Sequence, residues 1–537
     1  MSLARNTLVQ ATLTLGSRVL GFARDLALAA RFGQGPLMDV WSTALMLPNF
    51  FRRLFAEGAF AQAFVPLYAG AVEAEGEEAA ARMASEALAF ILTAVAAVTI
   101  LLQLLMPWLM PWLLSAWAQN DQVMSLGVLA AQLAMPYLAC MTIAALLSGV
   151  LNTSGRFALS AGVPILLNLC TLAALLAPLF LPGIGAESVL LWTTLAVTVS
   201  GILQAGLLWW GVRRVGVRLR LRLPRLTPAV KRTLSLAVPG AAAGGAMQIN
   251  TLVSQLLTGS DPGARSVLYN ADRLYQLPLG LVGVAIGLAL VPRLSRAFVA
   301  GDEALGQRTL NDGLVLALAL TLPAAAALLT IPFFLIDATM TRGAFTSEDA
   351  ARTAAVLRHF AWGVPAFVLA KVLTPPFFAR QDTRRPMRYA VTSVGVNVVI
   401  GAGLFFWLSA NGGDGVLGLA IGTSTAAWVN VGLLAWTLVR EGAWRPDAAL
   451  AGRLARLSAA VMAMAGLLLV AAWNYRLLSD LLWRKEIAVV AVAGAGAAFY
   501  GVMVLALRAA SLSELKAALR REPGAGRETG PGGPSPD

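Results

Sequence analysis

The chain has 537 residues, 58% of them hydrophobic and only 13% charged, with a mean hydropathy of +0.72. A soluble domain carries about 25% charged residues, so the composition excludes one and points to an all-α polytopic membrane protein. The net charge of +13 sits mostly in short loops between apolar runs, the pattern of cytoplasmic loops and not of a nucleic-acid surface.

A membrane span needs about 20 apolar residues. Runs of that kind cover 5–32, 37–70, 87–118, 124–152, 157–181, 188–212 and 233–258, then 274–292, 314–336, 351–379, 390–410, 415–439, 457–475 and 487–507. They predict about fourteen transmembrane helices. Pro107 and Pro111 are placed to break the third, which leaves thirteen or fifteen open. Arg18, Arg24 and Asp25 interrupt the first run and no small-residue cleavage pattern follows, so this helix is expected to persist in the mature protein. Arginines crowd the loops at 213–232, 293–308, 380–388 and 440–456, on one alternating side, which places both termini in the cytoplasm. Residues 511–521 read as a short basic amphipathic helix, and 522–537, rich in Gly and Pro, as disordered.

A weak repeat runs through this series. Val65-Pro66-Leu67 matches Val291-Pro292-Arg293, and Gln204-Ala205-Gly206-Leu207-Leu208 matches Asn430-Val431-Gly432-Leu433-Leu434, both at an offset of 226. Six spans per copy preserve orientation, which implies two parallel six-helix lobes around a central cavity. The expected organisation is an N-terminal lobe at 1–215, a basic linker at 216–232, a C-terminal lobe at 233–440, two extra helices at 441–510 and a tail at 511–537.

Charges inside the apolar runs are the unusual feature. An arginine at the bilayer centre costs about 2.5–3.5 kcal/mol on insertion scales. The first run carries Arg18, Arg24, Asp25 and Arg31. The second has Asp39, then Asn49, Arg52, Arg53 and Glu57, with Arg53 and Glu57 spaced for an i,i+4 pair. The eighth opens on Tyr269-Asn270-Ala271-Asp272-Arg273-Leu274-Tyr275-Gln276. The bland reading is that these are helix-end residues; Arg31 reads best as one that snorkels to the surface. Arg18, Arg24, Arg52, Arg53 and Arg273 outnumber Asp25, Asp39, Glu57 and Asp272, and a cationic cavity suits an anion. Guanidinium grips phosphate as a bidentate fork, so the residues predict a transporter of an anionic, phosphorylated, membrane-borne compound.

Other chemistry has no support in the sequence. There is no GxxxxGK[ST] loop, HExxH, paired CxxC or GxSxG. The single histidine, His359, cannot build a His-based metal site alone. Cys140 and Cys170 read as buried thiols. Neither an enzyme nor a cofactor is expected. Coupling to a monovalent cation or to the membrane potential is left open, with no site assigned.

Two stretches carry a specific resemblance. Ser17-Arg18-Val19-Leu20-Gly21-Phe22-Ala23-Arg24-Asp25 and Leu47-Pro48-Asn49-Phe50-Phe51-Arg52-Arg53-Leu54-Phe55-Ala56-Glu57-Gly58-Ala59-Phe60 resemble motifs of the MurJ (MviN) lipid II flippase family. Ala271-Asp272-Arg273-Leu274 and Phe378-Ala379-Arg380-Gln381-Asp382 resemble its later motifs. The resemblance implies the fold of the multidrug/oligosaccharidyl-lipid/polysaccharide exporters, with the two extra helices forming a groove for a lipid tail. It implies a flippase that carries undecaprenyl-pyrophosphate-linked disaccharide-pentapeptide across the bacterial inner membrane by alternating access, for peptidoglycan synthesis.

By the same resemblance Arg18, Arg24, Arg52 and Arg273 meet the pyrophosphate, with Asn49, Arg53 and Gln276 beside them. Asp25 and Asp39 pair with the arginines and gate the cavity, together with Ser17, Glu57 and Asp272. Gln276 stands where some family members have a glutamate, which puts a gate built on that pair in doubt. The seventh and eleventh runs hold no carboxylate, so a cation site there would rest on neutral oxygens from Asn250 or Asn397. The expected partners are lipid II and membrane lipids, with the cell-wall synthesis machinery left open, and the chain is expected to act as a monomer. Two rivals are a drug/cation antiporter, which would want an anionic cavity, and a membrane scaffold, which has no use for arginines in the bilayer.

Overall fold

Without water, a spanning backbone must pair its own N–H and C=O groups, which selects helices. The computed structural model describes residues 3–53, 60–220, 223–289, 303–481 and 484–509. Among them all regular structure is helical, with no strand. The first twelve α-helices are α1 Leu3–Phe32, α2 Pro36–Ala44, α3 Met46–Arg52, α4 Phe60–Glu75, α5 Glu77–Leu113 and α6 Asp121–Ala134, then α7 Tyr137–Thr153, α8 Phe157–Gly162, α9 Pro164–Leu176, α10 Ala186–Arg214, α11 Pro228–Thr258 and α12 Ala264–Ala289. The long helices that follow are Glu303–Thr330, Ser347–Ala361 with Val364–Leu373, Arg384–Ala410, Val416–Arg440, Ala448–Trp473 and Lys485–Ala506.

Ten segments among the described residues are long and apolar enough to cross a membrane, so the chain is a multi-pass membrane protein. The expected runs 5–32, 37–70, 233–258 and 274–292 are not among the ten. All four are helical where described, which is consistent with fourteen. Three of them, α1, the run 37–70 and α12, carry the arginines and aspartates singled out above. Run 37–70 is divided: Pro48 lacks an N–H and its ring crowds the carbonyl of Ala44, where α2 ends.

Prolines do not act where the sequence placed them. Pro107 and Pro111 both lie inside an unbroken α5, whereas Pro136 separates α6 from α7. Each proline orphans the carbonyl four residues earlier, which is Gln103 O for Pro107 and Gln132 O for Pro136. The structure pairs the two defects. Gln103 Nε2 donates to Gln132 O at 2.9 Å, and Gln132 Nε2 donates to Gln103 O at 2.9 Å. The same logic operates at Pro323, inside Glu303–Thr330. The carbonyl it orphans, Ala319 O, accepts from Tyr500 Oη at 2.8 Å. Gln103→Leu is expected to cost about 1–2 kcal/mol, because it leaves one buried carbonyl unpaired. Thermal unfolding of the detergent-solubilised variant checks this.

By compactness the chain forms two units. One comprises 1–275, 332–360 and 391–426; the other comprises 276–331, 361–390 and 427–537. The first has a core of Leu28, Met38, Trp41, Met110, Met135 and Leu138, and a second cluster around Phe64, Tyr68, Leu147 and Leu208. In the second, Ala448–Trp473 packs on Glu303–Thr330, where Arg453 meets Asp312 at 2.8 Å. Trp108, Trp112 and Trp473 are exposed, as interfacial aromatics facing lipid are. Cys140 and Cys170 are free but only half-buried, which corrects the expectation of buried thiols: each lies on a helix flank and not in a core. The Val291-Pro292-Arg293 motif, Glu57 and the tail at 511–537 lie outside the described residues.

Candidate functional site

The intramembrane charges of α1 and α12 meet at one carboxylate. Asp25, 3% exposed, accepts at Oδ1 from Arg24 Nη2 at 2.8 Å and from Arg24 Nε at 3.1 Å. The same oxygen accepts from Tyr269 Oη at 2.9 Å. Its other oxygen, Oδ2, faces Arg273 Nε at 3.4 Å. Tyr269 and Arg273 are one turn apart on α12, the spacing that puts two side chains on one stripe. The Arg273 guanidinium lies 4.8 Å over the Tyr269 ring. One carboxylate therefore answers two guanidinium groups, and Asp272 adds a second negative charge that acts on Arg273.

Helix α9 supplies the brace. Asn168 is buried; its Oδ1 accepts from Arg24 Nη1 at 3.1 Å, while its Nδ2 donates to the Ser17 carbonyl at 2.9 Å. Every polar edge of Arg24 is thus engaged. Arg273 has more freedom: its side chain is 38% exposed, against 12% for Arg24.

Asp39 has a different setting. Its Oδ2 accepts from the Gly263 N–H at 2.8 Å and the Trp117 indole at 3.0 Å, and its Oδ1 faces the Ser266 N–H at 3.3 Å. Gly263 and Ser266 stand at the start of α12, where the first N–H groups lack helical partners. Asp39 caps that helix from outside it, at the positive end of its dipole. The nearest cation is Arg265, 1% exposed. Arg265 donates to Thr43 Oγ1, to the Gln255 carbonyl, and to the Leu113 carbonyl at 2.8 Å.

A backbone clasp lies at the Phe32 end of α1. Ala344 N donates to Ala30 O at 2.8 Å. Gly33 and Gly343 have φ of +62° and +59°, and a Cβ on either would run into the carbonyl of Ala344 or Ala30. Only glycine meets both demands. Beside the clasp, Arg352 pairs with Asp261 at 2.8 Å and with Asp414 at 2.7 Å. Desolvation raises the Asp261 carboxyl above its ordinary range despite Arg352, and Asp414 adds to the rise.

The remaining expected residues are placed as follows. Arg52 is half-buried, with Nε 3.4 Å from Asn49 Oδ1. Arg53 and Gln276 are exposed and Asp272 half-buried. Arg18 is exposed and has no hydrogen bond or ion pair among the described residues. Arg31 donates to the Ile184 carbonyl at 3.4 Å. Asn397 is buried and donates to Thr423 Oγ1 at 3.3 Å; the Asn250 side chain lies outside the described set. Sequence reasoning missed Asn168, Tyr269, Trp117 and Arg265 as members of these networks. Arg265 stands at a helix start, where position alone predicts exposure.

Comparison with known proteins follows the same lines. The family model described as lipid II flippase MurJ matches residues 28–484. A probable lipid II flippase MurJ from Rhizobium meliloti (strain 1021) is 39% identical over 525 residues, 97% of each chain. Lipid II flippase MurJ from Burkholderia cenocepacia is 31% identical over 482 residues, 88% of this chain and 91% of the relative. Among solved structures, a lipid II flippase MurJ in an inward closed conformation superposes with a TM-score of 0.73 at 23% identity, covering 93% of this chain and 99% of the other. An inward-facing multidrug resistance MATE family transporter of the MOP superfamily superposes with a TM-score of 0.63 at 12% identity, covering 81% and 98%. These two structures share the fold.

Proposed function

The chain belongs to the lipid II flippase MurJ family, and from that premise we propose that it moves undecaprenyl-pyrophosphate-linked disaccharide-pentapeptide from the inner to the outer leaflet of the bacterial inner membrane. The observation that carries this reading is the convergence of Arg24 and Arg273 on the single carboxylate of Asp25. Two guanidinium groups that share one carboxylate keep N–H donors for an anion, and a pyrophosphate matches the guanidinium fork.

In this reading the chain consists of two six-helix lobes with two extra helices holding the lipid tail, and both termini are cytoplasmic. Access alternates. The Gly33–Gly343 clasp, the Asp39 cap and the Arg352 pairs close the outer end while the site loads from the cytoplasm. Opening that end costs these contacts, and binding the anion in place of the Asp25 carboxylate offsets part of the cost. As a member of a flippase family the chain acts as a transporter, moving its substrate without changing it. An inside-negative potential favours outward movement of the anionic lipid by about 2.3 kcal/mol per charge per 100 mV.

The test uses cells depleted of their own flippase and an enzyme that cleaves only outward-facing lipid II. Wild-type chain is expected to restore cleavage, and Arg24→Ala or Arg273→Ala to leave it at background while still inserting. An inserted wild-type chain that restores nothing would overturn the reading.

A further inference from the structure

We infer that Tyr269 is a positioning residue that holds the Arg273 guanidinium away from Asp25 and open to a phosphate-bearing ligand; this rests on the pyrophosphate reading above. Two arginines share one carboxylate here, but not equally. Arg24 has Nε and Nη2 on Asp25 Oδ1 and Nη1 on Asn168, so each of its nitrogens already donates once. Arg273 comes nearest Asp25 through Nε, at 3.4 Å, and that Nε has no hydrogen-bond partner.

Left to itself, a guanidinium beside a free carboxylate oxygen closes into a two-pronged pair. Two contacts of Tyr269 oppose that. Its ring carries the Arg273 cation on its face, 4.8 Å from the centroid, an electrostatic attraction that strengthens away from water. Its hydroxyl donates to Asp25 Oδ1 at 2.9 Å, which adds a third donor to that oxygen and fixes the orientation of the carboxylate. The same hydroxyl accepts from Arg273 Nη2 at 3.4 Å, a long contact that an incoming oxyanion can displace. The half-exposed Arg273 is therefore the arginine with a face to offer. The ligand class it suits carries anionic oxygens on two linked phosphates, as a pyrophosphate does: one phosphate can sit on the Arg273 fork while the other is held elsewhere, which a monophosphate cannot do.

The experiment measures binding of undecaprenyl pyrophosphate and of undecaprenyl monophosphate to the full chain in nanodiscs, for wild type, Arg273→Ala, Tyr269→Phe and Tyr269→Leu, with thermal unfolding of each. Tyr269→Phe keeps the ring and loses the hydroxyl; Tyr269→Leu loses both. The expected result is a loss of pyrophosphate affinity of about tenfold in Tyr269→Leu and less in Tyr269→Phe, with monophosphate binding changed less than twofold. A merely structural role would lower both affinities together and lower the unfolding temperature in proportion, and that result overturns the inference. Wild-type affinity in both tyrosine variants, with Arg273→Ala defective, also overturns it and leaves the pyrophosphate reading standing. Equal binding by wild type and Arg273→Ala overturns that reading, and the inference with it.

Discussion

Asp25→Asn is expected to abolish transport and to destabilise the protein by about 3–5 kcal/mol, the cost of removing one partner from a buried ion pair. The amide can still accept from Tyr269 and Arg24, so the shape of the site survives. What is lost is the only negative charge in direct contact with both Arg24 and Arg273, and two guanidinium groups then repel one another in a region of low dielectric. Stability and anion affinity should move in opposite directions. Added pyrophosphate can take the place of the missing carboxylate, so it should raise the unfolding temperature of Asp25→Asn more than that of wild type. A ligand at 100 times its dissociation constant stabilises by about 2.7 kcal/mol. Tight binding without transport is the expected phenotype, because a ligand that satisfies both arginines has no competing carboxylate to release it. Equal pyrophosphate effects on the two proteins would remove Asp25 from the anion site.

The second large effect is expected at Arg265. This guanidinium is almost wholly buried and joins α12 to Thr43 on α2, to the Leu113 carbonyl at the end of α5, and to the Gln255 carbonyl on α11. Arg265→Met fills similar volume but takes the donor from the Leu113 carbonyl, leaves the Gln255 carbonyl with Thr258 Oγ1 alone, and removes the cation that acts on Asp39. A loss of about 3–5 kcal/mol is expected. Asp39→Asn should cost less, because the amide oxygen still accepts from Gly263 N and the Trp117 indole. The combination is the informative measurement. If Arg265 and Asp39 stabilise each other by charge, the double variant is less destabilised than the sum of the singles, by 0.5 kcal/mol or more, in the range that contacting residues show, about 0.5–3 kcal/mol. Strict additivity in chemical unfolding would mean that Asp39 acts through the helix terminus alone.

Much of this was legible in the residues. Apolar runs of membrane length located the helices, because hydropathy and backbone pairing leave few alternatives. The cost of an arginine in lipid drew attention to Arg24, Asp25 and Arg273 before any geometry was known, and these three do meet. Other features were not legible, for separate reasons. Asn168 and Tyr269 are ordinary membrane-helix residues until another helix is laid beside them. Asp39 had the charge of an ion-pair partner, but its direct partners are two backbone N–H groups and the Trp117 indole, none of them a charge that a sequence would flag. Pro107 and Pro136 look alike in one dimension. One sits inside a continuous helix and the other divides two, and the difference depends on what the neighbouring helix supplies.

That last point bears on how such a chain can change over generations. Gln103, Pro107, Gln132 and Pro136 form a closed set: each proline creates a vacancy that the opposite glutamine fills. Losing one glutamine strands a carbonyl. Losing one proline restores a helical N–H, and the carbonyl, with two lone pairs, can accept from it and from the opposite glutamine. The prolines can therefore be lost first, whereas a glutamine lost while the opposite proline remains strands a carbonyl. In a family-wide comparison Pro107 should be accompanied by Gln132 and Pro136 by Gln103, while either glutamine can occur without its proline.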